Sequence, residues 1–300
     1  PTAGGLARLE RGTVLPGTEV VDLFDADFTT FQHLEMVGGE HTLRVRNSST
    51  NFTGSNLNLL NASSDGLVLD STAENAALDH LVVSGHGRHG IVIRDVDIDS
   101  LTDSVISDNA QTGLVLDNVG DVRVLRNTIS GNNLGIDIDH DGGATAIVGD
   151  DDLTDGNTDG NIVHDDAADG IDADGNVLIA GNTVFGHPGG RGLNLRNADA
   201  THNVVFNNHD GVNTRSGGEQ ITRNHVYGNQ NIGVILRYGA DAVGNVLANN
   251  NVGIHGATNG RGVSGEIRNN LIYDHDGPGV DIRETDGRFD LVNNTVDAPA

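Results

Sequence analysis

The stretch NTVFGHPGGRGLNLRNADATHNVVFNNHDGVNTRSGGEQITRNHVYGNQNIGVILRYGADAVGNVLANN, Asn182 to Asn250, decides the fold. An Asn-x-apolar phrase opens it at Asn182 and returns at Asn203, Asn224 and Asn245, 21 residues apart three times over. Between these copies lies a second phrase, Gly-apolar-x-apolar, clear at Gly192 (GLNL) and Gly233 (GVIL) and weaker at Gly211 (GVNT) and Gly253 (GIHG). Self-similarity at a fixed period marks a repeat architecture.

The same two phrases extend over most of the chain. Gly-apolar-x-apolar recurs at Gly66, Gly90, Gly113, Gly135, Gly170 and Gly279, and Asn-x-apolar at Asn127, Asn161, Asn270 and Asn294. Each unit holds short alternating runs rich in Val and Ile, separated by Gly, Asn and Asp turns. No segment of helical length shows a capped 3.6-residue period. A period of about 21–24 residues with several short strands is one coil of a parallel β-helix. Counting Leu43 as an earlier copy predicts an all-β solenoid of about eleven to twelve coils, roughly 50–60 Å long at the strand spacing. Residues 1–40 are expected to form irregular N-terminal coils or a cap. Residues 41–300 form the repeats, with an acidic insertion at 140–157.

An Asn buried at a turn bonds its neighbours in the coils before and after and satisfies amides otherwise stranded. This asparagine column resembles that of the right-handed parallel β-helix superfamily, which includes pectate lyases, polygalacturonases, alginate lyases and epimerases, and viral tailspikes. The resemblance implies the fold over nearly the whole chain and names no specific enzyme. Three phrases are similar to polygalacturonase motifs: Asn157-Thr-Asp159, Asp165-Asp166 and Gly85-His86-Gly87. Their order and spacing disagree with that family, and its terminal Arg-Ile-Lys cannot occur in a chain without Lys. Gly85-His86 fills the turn slot that Gly131-Asn132, Gly186-His187 and Gly228-Asn229 fill elsewhere, so these phrases read as repeat register. The alginate-epimerase Asp-Pro-His is absent as well.

Composition bounds the setting. The formal charge is −26, and all 17 basic residues are Arg. Such a surface repels itself in dilute buffer and is screened in brine, and it makes nucleic acid a poor partner. Lys-free acidic surfaces resemble those of proteins from salt-loving organisms, so a saline habitat is expected. There is no Cys, hence no disulfide, and no apolar run of membrane-spanning length. No secretory leader is read before Pro1, which fits a mature or excised piece of a longer protein. Sequons at Asn47, Asn51 and Asn61 favour an extracellular or cell-surface location.

The same slot in successive coils stacks into a column. Four residues after each Gly, the outward slot reads Arg46, Asp70, Arg94 and Asp117, alternating in sign, as in a ladder of modest ion pairs. Further on the alternation breaks. Asp139 is expected beside Asp174 and, one slot over, Asp137 beside Asp172; then Arg196, Arg215 and Arg237 follow in sequence. Stacked carboxylates invite a hard cation, and Ca²⁺ is the expected ion. Asp137-Ile-Asp139-His-Asp141-Gly142 matches the first half of an EF-hand loop, although the twelfth position is Val148 in place of Glu.

The Arg block is the expected seat of an acidic polysaccharide. A lyase must neutralise the sugar carboxylate, remove the adjacent proton and protonate the leaving oxygen. Arg196, Arg215 and Arg237 are candidates for the first task, one of them or His255 for the second, and Tyr238 for the third. Against catalysis stand short turns, no Trp and 3% aromatics. Phe185, Phe206 and Tyr227 share one column and are expected to pack on one another. The alternative class is a non-catalytic stalk of a larger surface protein. Val68, Val92 and Val115 fill an outward slot in three successive coils, an apolar strip expected to meet residues 1–40, another domain or another chain.

Overall fold

Ile91–Arg94 forms a short strand, a turn leads to Ile98–Thr102, a second turn to Val105–Ser107, and a third to Thr112–Asp117, which lies parallel beside Ile91–Arg94. Ile91 and Ile93 stack on Leu114 and Leu116 inside, while Val92 and Arg94 stack on Val115 and Asp117 outside. This is the strand period of two at work on an Ile-Val-Ile-Arg sequence. In this computed structural model, residues 6–12, 15–70, 74–120, 122–140, 145–150, 159–257, 265–283 and 288–297 are described.

Repetition of that coil builds three parallel sheets around one core. The first sheet runs from Val21–Phe24 to Val280–Arg283 and contains the strands that follow each repeated Gly. The second continues from each coil's first turn, as in Arg123–Leu125 and Gln220–Thr222. The third carries the tripeptide strands such as Thr183–Phe185, Val204–Phe206 and His225–Tyr227. No helix occurs among the described residues. The expected irregularity of residues 1–40 is mild. Val21–Phe24 and Thr30–Gly38 stack in parallel on the following coil, so the described part of this segment extends the same sheets.

The repeated Gly has a steric cause. A Cβ at Gly113 would lie 2.8 Å from the Gly135 carbonyl oxygen and from Asn132 Nδ2, so the chain closes from third sheet to first only where no side chain intervenes. At the opposite corner runs the asparagine column. Asn182 donates its N–H and Nδ2 to Asn203 Oδ1 at 2.9 and 3.2 Å, and Asn203 does the same to Asn224 Oδ1 at 2.9 Å each. Each Nδ2 also reaches a carbonyl of an earlier coil, as Asn203 does to Ile179 at 2.9 Å. The column continues from Asn127 to Asn294.

A second column fills the Gly-His or Gly-Asn corner: His86, Asn109, Asn132, Asp166, His187, Asn208, Asn229, Asn250 and His275, all buried. His86 Nδ1 accepts from the Ala62 N–H at 3.0 Å and its Nε2 lies 2.9 Å from the Leu59 carbonyl, which places the proton on Nε2. The Gly85-His86-Gly87 phrase is thus a structural rung, as the register implied.

Candidate functional site on the outer face of the first sheet

Two outward columns of the first sheet carry the candidate residues. One runs Arg44, Val68, Val92, Val115, Asp137, Asp172, Asn194 and Asn213, then Ile235, His255 and Asp281. The other includes Asp70, Arg94, Asp117, Asp139, Asp174 and Arg196, then Arg237, Ala257 and Arg283. The predicted neighbours Asp137–Asp172 and Asp139–Asp174 are in register on adjacent strands.

The apolar strip is closed within the chain. Val68, Val92 and Val115 are 7%, 2% and 8% exposed, so the expected cover is supplied without a second chain. Beside it the charges pair only in part as the alternation suggested: Arg94 meets Asp117 at 3.0 Å, but Asp70 is taken by Arg44 at 2.8 Å and Arg46 turns to Asp22 at 2.8 Å. Arg94, Asp117, Asp137 and Asp139, with His89 and Val115, line a solvent-open hollow at the junction of the two halves.

The acidic and basic blocks largely neutralise each other. Arg196 reaches Asp174 at 3.1 Å, and Arg215 reaches back two coils to Asp172 at 2.6 Å. Asn194 Nδ2 adds a 3.0 Å bond to the same Asp172 carboxylate. Arg215 is displaced because strand pairing lapses after Asn213: Thr214 Oγ1, not its backbone, receives the Arg237 N–H at 2.8 Å. The following turn is fixed by buried Glu219, which accepts from Ser216 N–H at 2.8 Å and Gly217 N–H at 2.6 Å. The three Arg therefore do not form one continuous row.

Asp137 is left in the least compensated position. Burial pushes its carboxyl above the usual range, with Asp172, Asp139 and Asp117 adding repulsion that Arg215 only partly offsets. Asp172 is also raised, mainly by burial. The half-EF-hand resemblance does not survive as a loop. Asp137 and Asp139 lie on the extended strand Leu134–His140 and project from one face, whereas an EF-hand wraps its ion. Asp141 lies outside the described residues. The His and carboxylate groups that do converge to within 4.8 Å among the described residues are Glu19–Glu40–His41 and Asp79–His80–Asp103. Each already has an Arg beside it, Arg44 3.6 Å from Glu19 and Arg126 2.8 Å from Asp103.

Towards the C-terminal end the balance changes. Among the described Arg of this face, Arg237 has no carboxylate partner; its Nε lies 3.4 Å from Asn213 Oδ1. His255, in the neighbouring outward column one coil on, sits 3.4 Å from Asp281 through Nδ1. Tyr238 follows Arg237 in a left-handed backbone conformation, φ 52°. Arg237 and His255 thus lie in neighbouring outward columns one coil apart, with Tyr238 next to Arg237 in the chain, while Arg196 and Arg215 pair with Asp174 and Asp172. On the third sheet His164, Phe185, Phe206 and Tyr227 stack face to face at 4.8–5.0 Å, as expected of a packed column whose ring faces are occupied.

Comparison with known proteins agrees on the architecture. The A-module of Azotobacter vinelandii mannuronan C-5 epimerase AlgE6 superposes with a TM-score of 0.66 at 15% identity, over 94% of this chain and 81% of that one. The AlgE4 A-module of the same organism gives 0.62 at 14% identity, over 89% and 81%. At such identity the likeness concerns the fold. No curated protein sequence matches the chain. Residues 41–200 match the family described as right handed beta helix region, and the chain belongs to that family.

Proposed function

We propose that the outer face of the first sheet binds an acidic polysaccharide, with a sugar carboxylate at Arg237, and that His255 and Tyr238 supply the acid–base chemistry of β-elimination or epimerisation. The observation that carries this reading is Arg237 itself. On a face where the other described Arg are matched by carboxylates, its guanidinium keeps its fork for an incoming anion, beside an imidazole that a carboxylate orients. The two structurally similar modules are by name epimerases of mannuronan, which supports a polyuronate as the polymer class.

In this reading the terminal N–H groups of Arg237, whose Nε is steadied on Asn213 Oδ1, hold the carboxylate and neutralise the charge that develops as the adjacent C–H is broken. His255 Nε2 accepts that proton, and Asp281 fixes the ring through Nδ1 and stabilises the imidazolium. Tyr238 donates its proton to the glycosidic oxygen in elimination, or to the opposite face of the same carbon in epimerisation. Calcium belongs to the same proposal at Asp137 and Asp139, whose mutual repulsion a cation relieves; water and sugar oxygens would complete its shell. An extracellular, saline setting is proposed with it, supported by the −26 charge, the lack of Lys and the exposed turn positions of the Asn47 and Asn61 sequons.

The test is proton NMR of alginate, polygalacturonate and sulfated glycans incubated with the protein, calcium and high salt. Unsaturated or inverted sugar residues are expected. His255→Gln should abolish turnover while the polymer is retained, and Arg237→Gln should lose both. Calcium should raise the melting temperature of the parent and not of Asp137→Asn/Asp139→Asn. Unchanged sugars across the panel, with no retention, would leave a stiff stalk as the reading, which the regular coils favour.

A further inference from the structure

A different corner of the rod carries a second cationic feature. At the turn between the second and third sheets, one residue in most coils adopts a left-handed conformation, among them Asp103, Arg126, Gly181, His202, Arg223, Gly244 and Asn269. Where Asp103, Arg126 and Asp159 share this corner they form an ion ladder. Arg126 bonds both oxygens of Asp103, at 2.9 and 2.8 Å, and lies 3.4 Å from Asp159. Nothing is left over there for a ligand.

Further along, the same corner is not compensated. Arg223 is exposed, and its guanidinium makes no hydrogen bond or ion pair among the described residues. Its neighbours in the column are His202 and Gly244. His202 is held below the usual imidazole range by burial and by Arg223, so it stays neutral and adds no repulsion. Gly244 contributes no side chain: a Cβ there would meet only Arg223 Cγ, at 3.6 Å. The gap opens a notch lined by Thr222, Arg223, Val243, Gly244, Arg268 and Asn269. Arg268 faces it from the adjacent column, with Nε 3.0 Å from Glu266 and the rest of its fork unassigned.

We propose that this notch is an oxyanion seat, taking a carboxylate or sulfate between the Arg223 and Arg268 guanidinium groups, with the Asn269 amide as an additional donor. The lining carries donors and no carboxylate, on a chain whose formal charge is −26. Two guanidinium forks flanking a gap suit a planar or tetrahedral oxyanion and not a halide. The anion is either a free ion of the medium or a charged substituent on a polysaccharide crossing this corner. The seat is on a different face from Arg237, so it stands whether or not the first-sheet reading does.

The experiment is a titration of the ¹⁵N-labelled full chain with sodium sulfate against sodium chloride at matched ionic strength, following the Gly244 amide and Arg223 Nε signals. A saturable shift with sulfate and none with chloride is expected. Arg223→Gln should weaken it at least tenfold. Gly244→Asn, which keeps a residue tolerant of the left-handed turn and fills the notch, should do the same. A second arm uses sulfated and uronic oligosaccharides. Binding at least tenfold tighter than inorganic sulfate assigns the seat to a sugar substituent, and equal binding assigns it to a free ion. Shifts that do not saturate, or that persist unchanged in both variants, would overturn the proposal.

Discussion

The two polar columns inside the rod do the same task with different chemistry. The corner between second and third sheets is Asn from Asn127 onward, each Oδ1 receiving the amides of the coil before. The corner between third and first sheets mixes His, Asn and Asp. Asn132 gives its N–H and Nδ2 to Asp166 Oδ1 at 2.8 and 3.0 Å, Asp166 N–H lies 3.3 Å from His187 Nδ1, and His187 N–H bonds Asn208 Oδ1 at 3.2 Å. What a rung needs is one acceptor towards the preceding coil's amide and one donor towards an earlier carbonyl. Asn carries both groups, neutral His86 makes both bonds, and an ionised Asp has no donor. The first column is therefore indifferent to pH, and the second is not.

The uniform column shows the largest cost of removing a rung. Asn203 is fully buried, and Asn203→Ala strands the Asn182 N–H and removes one bond each from Asn182 Nδ2, the Ile179 carbonyl and Asn224 Oδ1. At about 1–3 kcal/mol for the stranded N–H and about 1 kcal/mol for the bonds lost beside it, a loss of about 2–4 kcal/mol is expected. Urea denaturation in high salt measures it. A loss under about 1 kcal/mol would mean that water replaces the rung and that the column stabilises the rod little.

Asp166 is the rung that violates the rule. Its Oδ2 is buried with no partner, 3.9 Å from His187 Nδ1, at a place where Asn208 and Asn229 use Nδ2 to reach the Val184 and Val205 carbonyls. Burial raises its carboxyl to about 7, against hydrogen bonds from Asn132. A carboxyl raised from its unfolded value near 3.8 contributes stability in full below about 4, which is lost as pH rises through about 7. The loss is on the order of 4 kcal/mol by linkage. His86 acts in the opposite direction. Burial lowers it to about 4, so its contribution is complete above about 6.5 and is lost as pH falls through 4. Asp166→Asn should remove the fall in stability between pH 4 and 7, so that the melting temperature climbs with pH there on the His86 limb alone and exceeds the parent's at pH 8. A variant as pH-sensitive as the parent in that window would place the sensitivity elsewhere.

Most of the architecture was legible because it depends on period: Gly at each closing corner, Asn at the next, alternating Val and Ile between. The column registers followed, including Asp137 beside Asp172. What could not be read was where long side chains go once placed. Arg215 belongs by spacing to the Arg row, yet its two-coil reach to Asp172 depends on a lapse in pairing at Thr214 that no motif announces. Burial of Val68, Val92 and Val115 is likewise not announced by their outward slot. His86 and His187 were recognised as turn-slot residues. Their role as rungs lay in the equivalence with Asn132 and Asn229, and that equivalence could have been read as hydrogen bonding. Arg223 carries no sequence signal, because the position before each Asn-x-apolar phrase is held by no single residue type.

The smallest expected effect tests whether the mixed column has any special role for imidazole. His187 accepts at Nδ1 from the Asp166 N–H, while its Nε2 has no partner within hydrogen-bonding geometry. An Asn in the same place would accept at Oδ1 and present Nδ2 towards the Val163 carbonyl, as Asn208 does to Val184 at 3.4 Å. The smaller side chain opens some space beside Asp166 but forms the bond that the imidazole misses. His187→Asn should therefore change stability at pH 7 by less than about 1 kcal/mol, since a similar-sized gain and loss of one net hydrogen bond and a little packing oppose each other. Burial holds His187 below the usual imidazole range, so the same variant should also soften the fall in stability below pH 6. A change of several kcal/mol at pH 7, measured by urea denaturation, would show that His187 and Asp166 act as a coupled pair and not as two interchangeable rungs.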